Sequence, residues 1–247
     1  MKLPVIQGVI RRRILVNFRV DADVMRRNIP GRFSPKLLDG YAVAGICLIR
    51  LEQIRPVAAP SAFGVASENA AHRVAVEWVT KEDRQEGVFI PRRDTNSPLV
   101  LMAGGRLFPG EHHKATFDVK DDGEAIDFSM RSIDGDVEVR VKGKSADALP
   151  ETSRFANVAE ASSFFEKGYL GYSATRKGDR LEGLELHTTA WRVDPLDVTQ
   201  VYSSYFTDEA RFPRGSVAFD CALIMRNIPH QWRTAPELYA LEIARAV

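Results

Sequence analysis

The chain has 247 residues, 45% of them hydrophobic and 27% charged, which suits a folded globular protein and excludes a disordered one. Its 34 basic and 33 acidic residues leave a formal charge of +1, so composition gives no electrostatic reason to expect nucleic acid or a membrane surface as partner. Few of the bases are lysines, which leaves few amines for imine chemistry, and the two cysteines, Cys47 and Cys221, lie in separate apolar runs, as buried thiols of a reducing compartment do.

The triplet Arg11-Arg12-Arg13 is like the basic end of a signal peptide, but the following "ILVNFRVDAD" turns polar and no apolar run reaches spanning length, so the expected compartment is the cytoplasm. "RILVNFRV" alternates, with Ile14, Val16, Phe18 and Val20 on one face and Leu15, Asn17 and Arg19 on the other, the period of a strand. "DADVMRRNIP" predicts a short helix, capped by Asp21 or Asp23 and ended before Pro30. "GYAVAGICLIRLEQI" is apolar on both faces, as a central buried strand is. In "SENAAHRVAVEWVT" a turn holding Glu68 and Asn69 leads into a strand with His72, Val74, Val76 and Trp78 on one face. "IPRRDTNSPL" reads as a loop carrying Arg92, Arg93 and Asp94.

From His112 the chain alternates again. His113, Ala115, Phe117 and Val119 point one way, and His112, Lys114, Thr116 and Asp118 the other. Turns at Asp121-Asp122-Gly123 and Asp134-Gly135 make 112–143 a three-stranded antiparallel meander, with Arg131 opposite Glu138. "NVAEASSFFEKG" predicts a helix near 157–167, capped by Asn157 with Glu160 three residues on. Strands resume in "YLGYSATR", "LEGLELHTTAWRV" and "DVTQVYSSYF". With no linker or repeat, the expected fold is a β-rich α+β single domain over 1–247, built of antiparallel sheets with a few short helices.

The usual motifs for nucleotide binding, zincin chemistry and nucleophile-elbow hydrolysis are absent, and no cofactor is expected. What remains is strand geometry. His113 and His72 each begin a strand on its apolar face, and Glu68 lies close by in sequence, so these three suggest a polar pocket in the mouth of an apolar barrel. The structural alternatives are a core histidine satisfied by a carbonyl and a solvated turn glutamate. Arg92, Arg93 and Arg106 are candidate clamps for a carboxylate, against the alternative of an Arg–Asp pair with Asp94 that only stabilises a loop. A metal site from His72, His113 and a carboxylate is chemically feasible, but the spacing matches no recognised motif.

Three ordered segments carry a family resemblance. "NFRVDADVMRRNIP", "GGRLFPGEHHKA" and "FDCALIMRNIPHQW" resemble the early segment, the glycine-arginine segment before the double lysine, and the last strand of acetoacetate decarboxylases. "SENAAHRVAVEW", "PRRDTNS" and "WRVDPLDVTQVYSSYF" resemble an uncharacterised bacterial branch of that superfamily. The resemblance implies a barrel- or cone-like fold. It also implies that His113 stands where the decarboxylases keep their imine-forming lysine and Lys114 where they keep the second, while Arg11 has the spacing of their pocket arginine and a one-residue slip would select Arg12. An imidazole makes no such imine. The expectation is therefore a small-molecule enzyme, lyase- or hydrolase-like, acting on a carboxylate-bearing substrate by acid–base chemistry through His113, with Glu68, His72 and Lys114 as further catalytic candidates and Arg11, Arg92, Arg93, Asp94 and Arg106 for binding. The alternatives are a non-catalytic binder of a small ligand in the same cavity and a decarboxylase-type lyase using Lys114. The expected partner is a small-molecule substrate or ligand, with no nucleic acid and no membrane; a homo-oligomer is compatible with this reading.

Overall fold

Strand alternation carries most of the architecture. A computed structural model describes residues 4–80, 83–103 and 108–240. In chain order the elements are β1 (Ile6–Asp21), α1 (Ala22–Arg27), β2 (Ser34–Pro35), β3 (Leu37–Leu38), β4 (Tyr41–Pro56), β5 (Val65–Val79), β6 (Arg84–Thr95), α2 (Pro98–Ala103), β7 (His112–Asp121), β8 (Ala125–Ser132), β9 (Glu138–Ser145), α3 (Val158–Glu166), β10 (Leu170–Ala174), β11 (Arg180–His187), β12 (Asp194–Ser203) and β13 (Val217–Tyr239).

The local signals act as their chemistry requires. The Asp21 carboxylate accepts from the N–H groups of Asp23 and Val24 and starts α1. Asn157 Oδ1 accepts from the Glu160 N–H at 2.9 Å, and the Glu160 carboxylate takes the Ala156 N–H, so α3 starts on a reciprocal cap. Gly135 turns between β8 and β9 at φ 80°, a conformation that favours glycine. From there Arg131 pairs with Glu138, Met130 with Val139 and Phe128 with Val141.

Two local expectations are corrected. Glu68 and Asn69 lie inside β5, not in a turn before it, and Arg92, Arg93 and Asp94 lie inside β6, not in a loop. Long strands absorb both segments because their neighbours supply full ladders: Glu68 stands opposite Arg50 of β4, and Asp94 stands between Ala70 of β5 and His113 of β7. The sheet is also mixed. β6 runs parallel to both β7 and β10, while the other pairings are antiparallel.

The sheet closes twice on itself. A wall of five strands, β13-β1-β4-β5-β6, is common to two rings. One edge of β6 is divided, with β10 beside Val88 and Phe89 and β7 beside Arg93 to Thr95. The edge of β13 away from β1 is divided likewise, between β12 at Ala222 to Ile224 and β11 further along. Closure through β7-β8-β9-β12 gives a nine-stranded ring, and closure through β10-β11 gives a seven-stranded one. Closure removes sheet edges that would otherwise pair with other chains.

Both faces of the shared wall are therefore interior. Ile14, Val16, Ala44 and Ile46 pack with Phe128, Met130, Val139 and Val141 inside the nine-stranded ring. Leu15, Val43, Cys47 and Ile49 face the other way and join Ala161 and Phe165 of α3. Each large side chain so buried contributes about 1.5–3 kcal/mol. This explains why β4 is apolar on both faces.

One glycine in the wall has a specific task. Asn17, Gly45 and Arg73 form a row across β1, β4 and β5, and the Arg73 Nη2 donates to Asn17 Oδ1 across that row. A Cβ at Gly45 would lie 2.2 Å from the Val16 carbonyl oxygen and 3.3 Å from Asn17 Oδ1. Gly45→Ala is expected to destabilise the fold by about 1–3 kcal/mol or more, since backbone must shift. A urea-denaturation midpoint equal to wild type would refute this.

Candidate functional site

The seven-stranded ring is not filled. It encloses a cavity of about 140 Å³ between the wall, β10, β11 and Phe108. Much of the lining is apolar, including Ile49, Leu51, Ile90 and Trp232, but Arg13, Asn69, Arg73, Arg93, Asp94 and His112 also line it. A register shift between Ile10 and Arg12 sets this up. Beyond it Arg12 shares the face of Ile14, and Arg13 shares the face of Leu15 and so lines the cavity. Arg73 and Arg93 come from the same face of β5 and β6, two strands that pair directly.

Each arginine is held by neutral partners. Arg13 Nε donates to Cys47 Sγ at 3.1 Å. Arg73 donates to Asn17, and its guanidinium stands 4.8 Å over the Phe165 ring. Arg93 Nε donates to Ser173 Oγ at 3.1 Å, and that hydroxyl donates to the Ile90 carbonyl. Among the described residues no carboxylate forms an ion pair with any of the three. Burial pushes Arg73 and Arg93 down to about 10, which still leaves both charged at neutral pH. His112 is pushed down to about 3, first by burial and then by Arg93, so its imidazole is neutral. Its Nδ1 is buried and has no hydrogen-bond partner.

A second cluster lies on the opposite face of β6 and β7. Arg92 is bidentate to Asp94, with Nη2 donating to Oδ1 at 2.9 Å and Nε to Oδ2 at 3.2 Å, and reaches Asp134 at 2.8 Å. His113 Nδ1 lies 2.9 Å from Asp134 Oδ2. Desolvation pushes Asp134 upward, but the bonds from Ser132, the Asp136 N–H and Arg92 outweigh it and hold this carboxyl well below the usual range. Burial raises Asp94, against the pull of Arg92. The His113 side chain, 29% exposed, opens onto a groove of about 550 Å³ with Glu111, Arg176, Tyr205 and Arg211 along it.

The structure thus brings His113, Arg92 and Asp94 together and separates the other candidates. Glu68 is buried against Arg12 at 2.7 Å, with Asp121 3.6 Å from Arg12. Burial raises the Glu68 carboxyl, against Arg12 and Arg50. His72 is fully buried, with Nε2 3.0 Å from Ser203 Oγ and its ring 4.5 Å from that of Tyr205. Lys114 is exposed. Arg11 is exposed and donates to Asn227 at 2.5 Å. Arg93 lines the cavity, away from Arg92, and Arg106 lies outside the described residues. Among the described residues no group of three or more His, Cys, Asp or Glu side chains is placed to hold a metal ion, and no helix is long and apolar enough to cross a membrane.

Sequence reasoning missed Arg13, Asn69, Arg73 and His112. A signal for Arg73 is present: its neighbours on that face of β5, Ala71 and Ala75, are small and not polar, which is an interior face and not a solvated one.

The comparisons agree on fold. A profile of a family described as uncharacterized conserved protein, DUF2071, matches residues 9–224. No curated protein matches the chain in sequence. Among solved structures, an acetoacetate decarboxylase from Legionella pneumophila is 10% identical, with 95% of this chain and 88% of that chain covered and a TM-score of 0.55. An acetoacetate decarboxylase-like enzyme from Sphingomonas wittichii RW1 is 12% identical over 96% of this chain and 92% of that one, at 0.57. The enduracididine biosynthesis enzyme MppR, in complex with a condensation product of pyruvate and imidazole 4-carboxaldehyde, is 12% identical over 99% and 92%, at 0.59. The fold is that of the acetoacetate decarboxylase-like proteins.

Proposed function

The chain belongs to the DUF2071 family, and from that footing we propose that it acts on a small organic carboxylate held in the seven-stranded ring, with His112 as the proton-transfer group and no imine-forming lysine. One observation carries the reading: three arginines, none of them ion-paired to a carboxylate among the described residues, line one largely apolar cavity, and the one carboxylate along that lining, Asp94, is taken by Arg92. An anion with an apolar body satisfies both halves of that lining. The relatives fit this chemistry, since acetoacetate is a small carboxylate and MppR is found with pyruvate.

In this reading Arg73 and Arg93 receive the carboxylate, Ile49 and Leu51 take the apolar portion, and neutral His112 accepts a proton at Nδ1. Arg13 faces the charge that develops on the reacting group. A bound anion offsets the guanidiniums and restores proton affinity to His112. Lys114 lines neither the cavity nor the groove, so no amine is offered there.

A second reading rests on the His113–Asp134 pair, which has the geometry of a base and its orienting carboxylate and opens onto the groove. Two variants separate the readings. The cavity is first probed by calorimetry with propanoate, butanoate, 2-oxobutanoate and benzoate, and the bound acid is followed for turnover. His112→Gln is expected to cut turnover by about 10²–10⁴-fold with binding nearly unchanged, while His113→Gln keeps both. Arg93→Gln is expected to weaken binding by about tenfold or more. The opposite pattern in the two histidine variants favours the groove. Binding with no turnover makes the chain a carboxylate carrier, and no binding of any acid removes the reading.

A further inference from the structure

The cavity holds one nucleophile that the proposed reaction does not use. Cys47 is a free thiol at the centre of the shared wall, and it lines the cavity. Its sulfur receives the Arg13 Nε at 3.1 Å. Arg73 and Arg93 line the same cavity as this sulfur. Independently, the space around it asks for a ligand. Arg73 is only 3% exposed, yet its buried Nε has no hydrogen-bond partner, and the same is true of the His112 Nδ1.

We propose that Cys47 is a site of covalent modification by small carboxylate-bearing carbon electrophiles, which the cavity arginines capture and hold against the sulfur. The inference rests on the carboxylate-cavity reading and adds a nucleophile to it. Capture of the acid group raises the local concentration of the reagent, and fixing that end orients its electrophilic carbon. A neutral reagent of the same size gains neither advantage. Cys221 serves as an internal control, because it is fully buried and lines none of the described cavities.

The probe pair is iodoacetate and iodoacetamide, which differ in charge and hardly in size. In either reaction the sulfur–carbon bond forms, the carbon–iodine bond breaks, iodide leaves with the bonding pair, and the thiol proton passes to solvent. Labelling of the folded full chain is followed by mass spectrometry of the Cys47 and Cys221 peptides. Iodoacetate is expected to label Cys47 at least about tenfold faster than iodoacetamide, with Cys221 silent. Butanoate at saturation should slow the iodoacetate reaction and leave the iodoacetamide reaction less affected. Arg13→Gln should bring the two rates together, and Arg93→Gln offers the same comparison if the first variant folds poorly. Equal rates in wild type, or faster labelling by iodoacetamide, overturn the proposal. If Cys47 stays silent while butanoate still binds by calorimetry, the modification site falls and the carboxylate cavity stands. If Cys47 stays silent and butanoate does not bind, both fall.

Discussion

Glu68→Gln should lower the stability of the fold by about 3 kcal/mol, the lower end of the roughly 3–5 kcal/mol seen when one partner of a buried ion pair is removed. Arg12 is 5% exposed and lies inside the nine-stranded ring, where its guanidinium stands 5.9 Å from the Phe128 ring centroid. Without the Glu68 carboxylate its nearest anion is Asp121 at 3.6 Å, and Asp121 is already engaged by two bonds from Arg226, at 2.8 and 2.9 Å. That residual partner is why the loss sits at the low end. For a chain of this size the melting temperature should fall by about 6–12 °C. The pair itself contributes little net stability, because both charges are desolvated, so the double variant Arg12→Met/Glu68→Leu should recover most of the loss. Urea denaturation of Arg12→Met, Glu68→Leu and the double variant closes the cycle. A Glu68→Gln protein as stable as wild type would show that Arg12 reaches water or another anion.

Acid should weaken the fold well before the carboxylates titrate. His72, His112 and His230 are held to about 3, about 3 and about 4, in each case chiefly by burial. Below the ordinary value of 6.5 the unfolded chain binds protons at these positions and the folded chain does not. Stability is therefore fully present above that value and falls as pH falls, by up to about 1.4 kcal/mol per pH unit for each histidine. Glu68 and Asp94 act in the opposite sense. Their carboxyls are raised, so the folded chain takes up protons first and recovers part of the loss at lower pH. His72→Phe isolates the proton-linked contribution: the ring keeps its packing against Tyr205 and Phe206, and the lost Nε2 contact with Ser203 lowers stability by an amount that does not change with pH in this range. Denaturation midpoints taken between about pH 7 and pH 5 should fall less steeply in this variant, by up to about 1.4 kcal/mol per unit. Parallel slopes in variant and wild type would mean that His72 titrates alike in the folded and unfolded chains.

Local chemistry was legible in the sequence, and the two-sided wall was not. The Asp134-Gly135 turn fixed the pairing of Arg131 with Glu138, and Asn157 marked the start of α3, because each signal acts over a few residues. Alternation assigned His113 to the face of Ala115 and Phe117, as found. What alternation cannot express is a wall with an interior on both sides. Reading one face as inside and the other as outside turned His112 and Arg73 toward solvent, although each lines the cavity of the second ring. The irregularity between Ile10 and Arg12 has no marker in "VIRRRIL", so which of three consecutive arginines enters which ring was beyond the reach of spacing arguments. Glu68 and Arg92 were misplaced for a related reason. Polar clusters near proline and glycine read as loops, whereas here they extend long strands whose charges are matched across the rings.

The divided edge of β13 also bears on how the chain assembles. Ile6 pairs with Trp232, Leu184 with Thr234 and Leu196 with Ala222, so one late segment completes the hydrogen-bond ladders of strands from the beginning and the later part of the sequence alike. During synthesis β1, β11 and β12 each wait for the neighbour that β13 supplies, and neither ring can shut until Val217–Tyr239 has been made. Such long-range pairing makes folding slow, and it leaves apolar strand edges waiting in the meantime. A nascent chain lacking that one segment is consequently a cohesive, aggregation-prone species, and the step that creates the arginine-lined cavity is also the last one to occur.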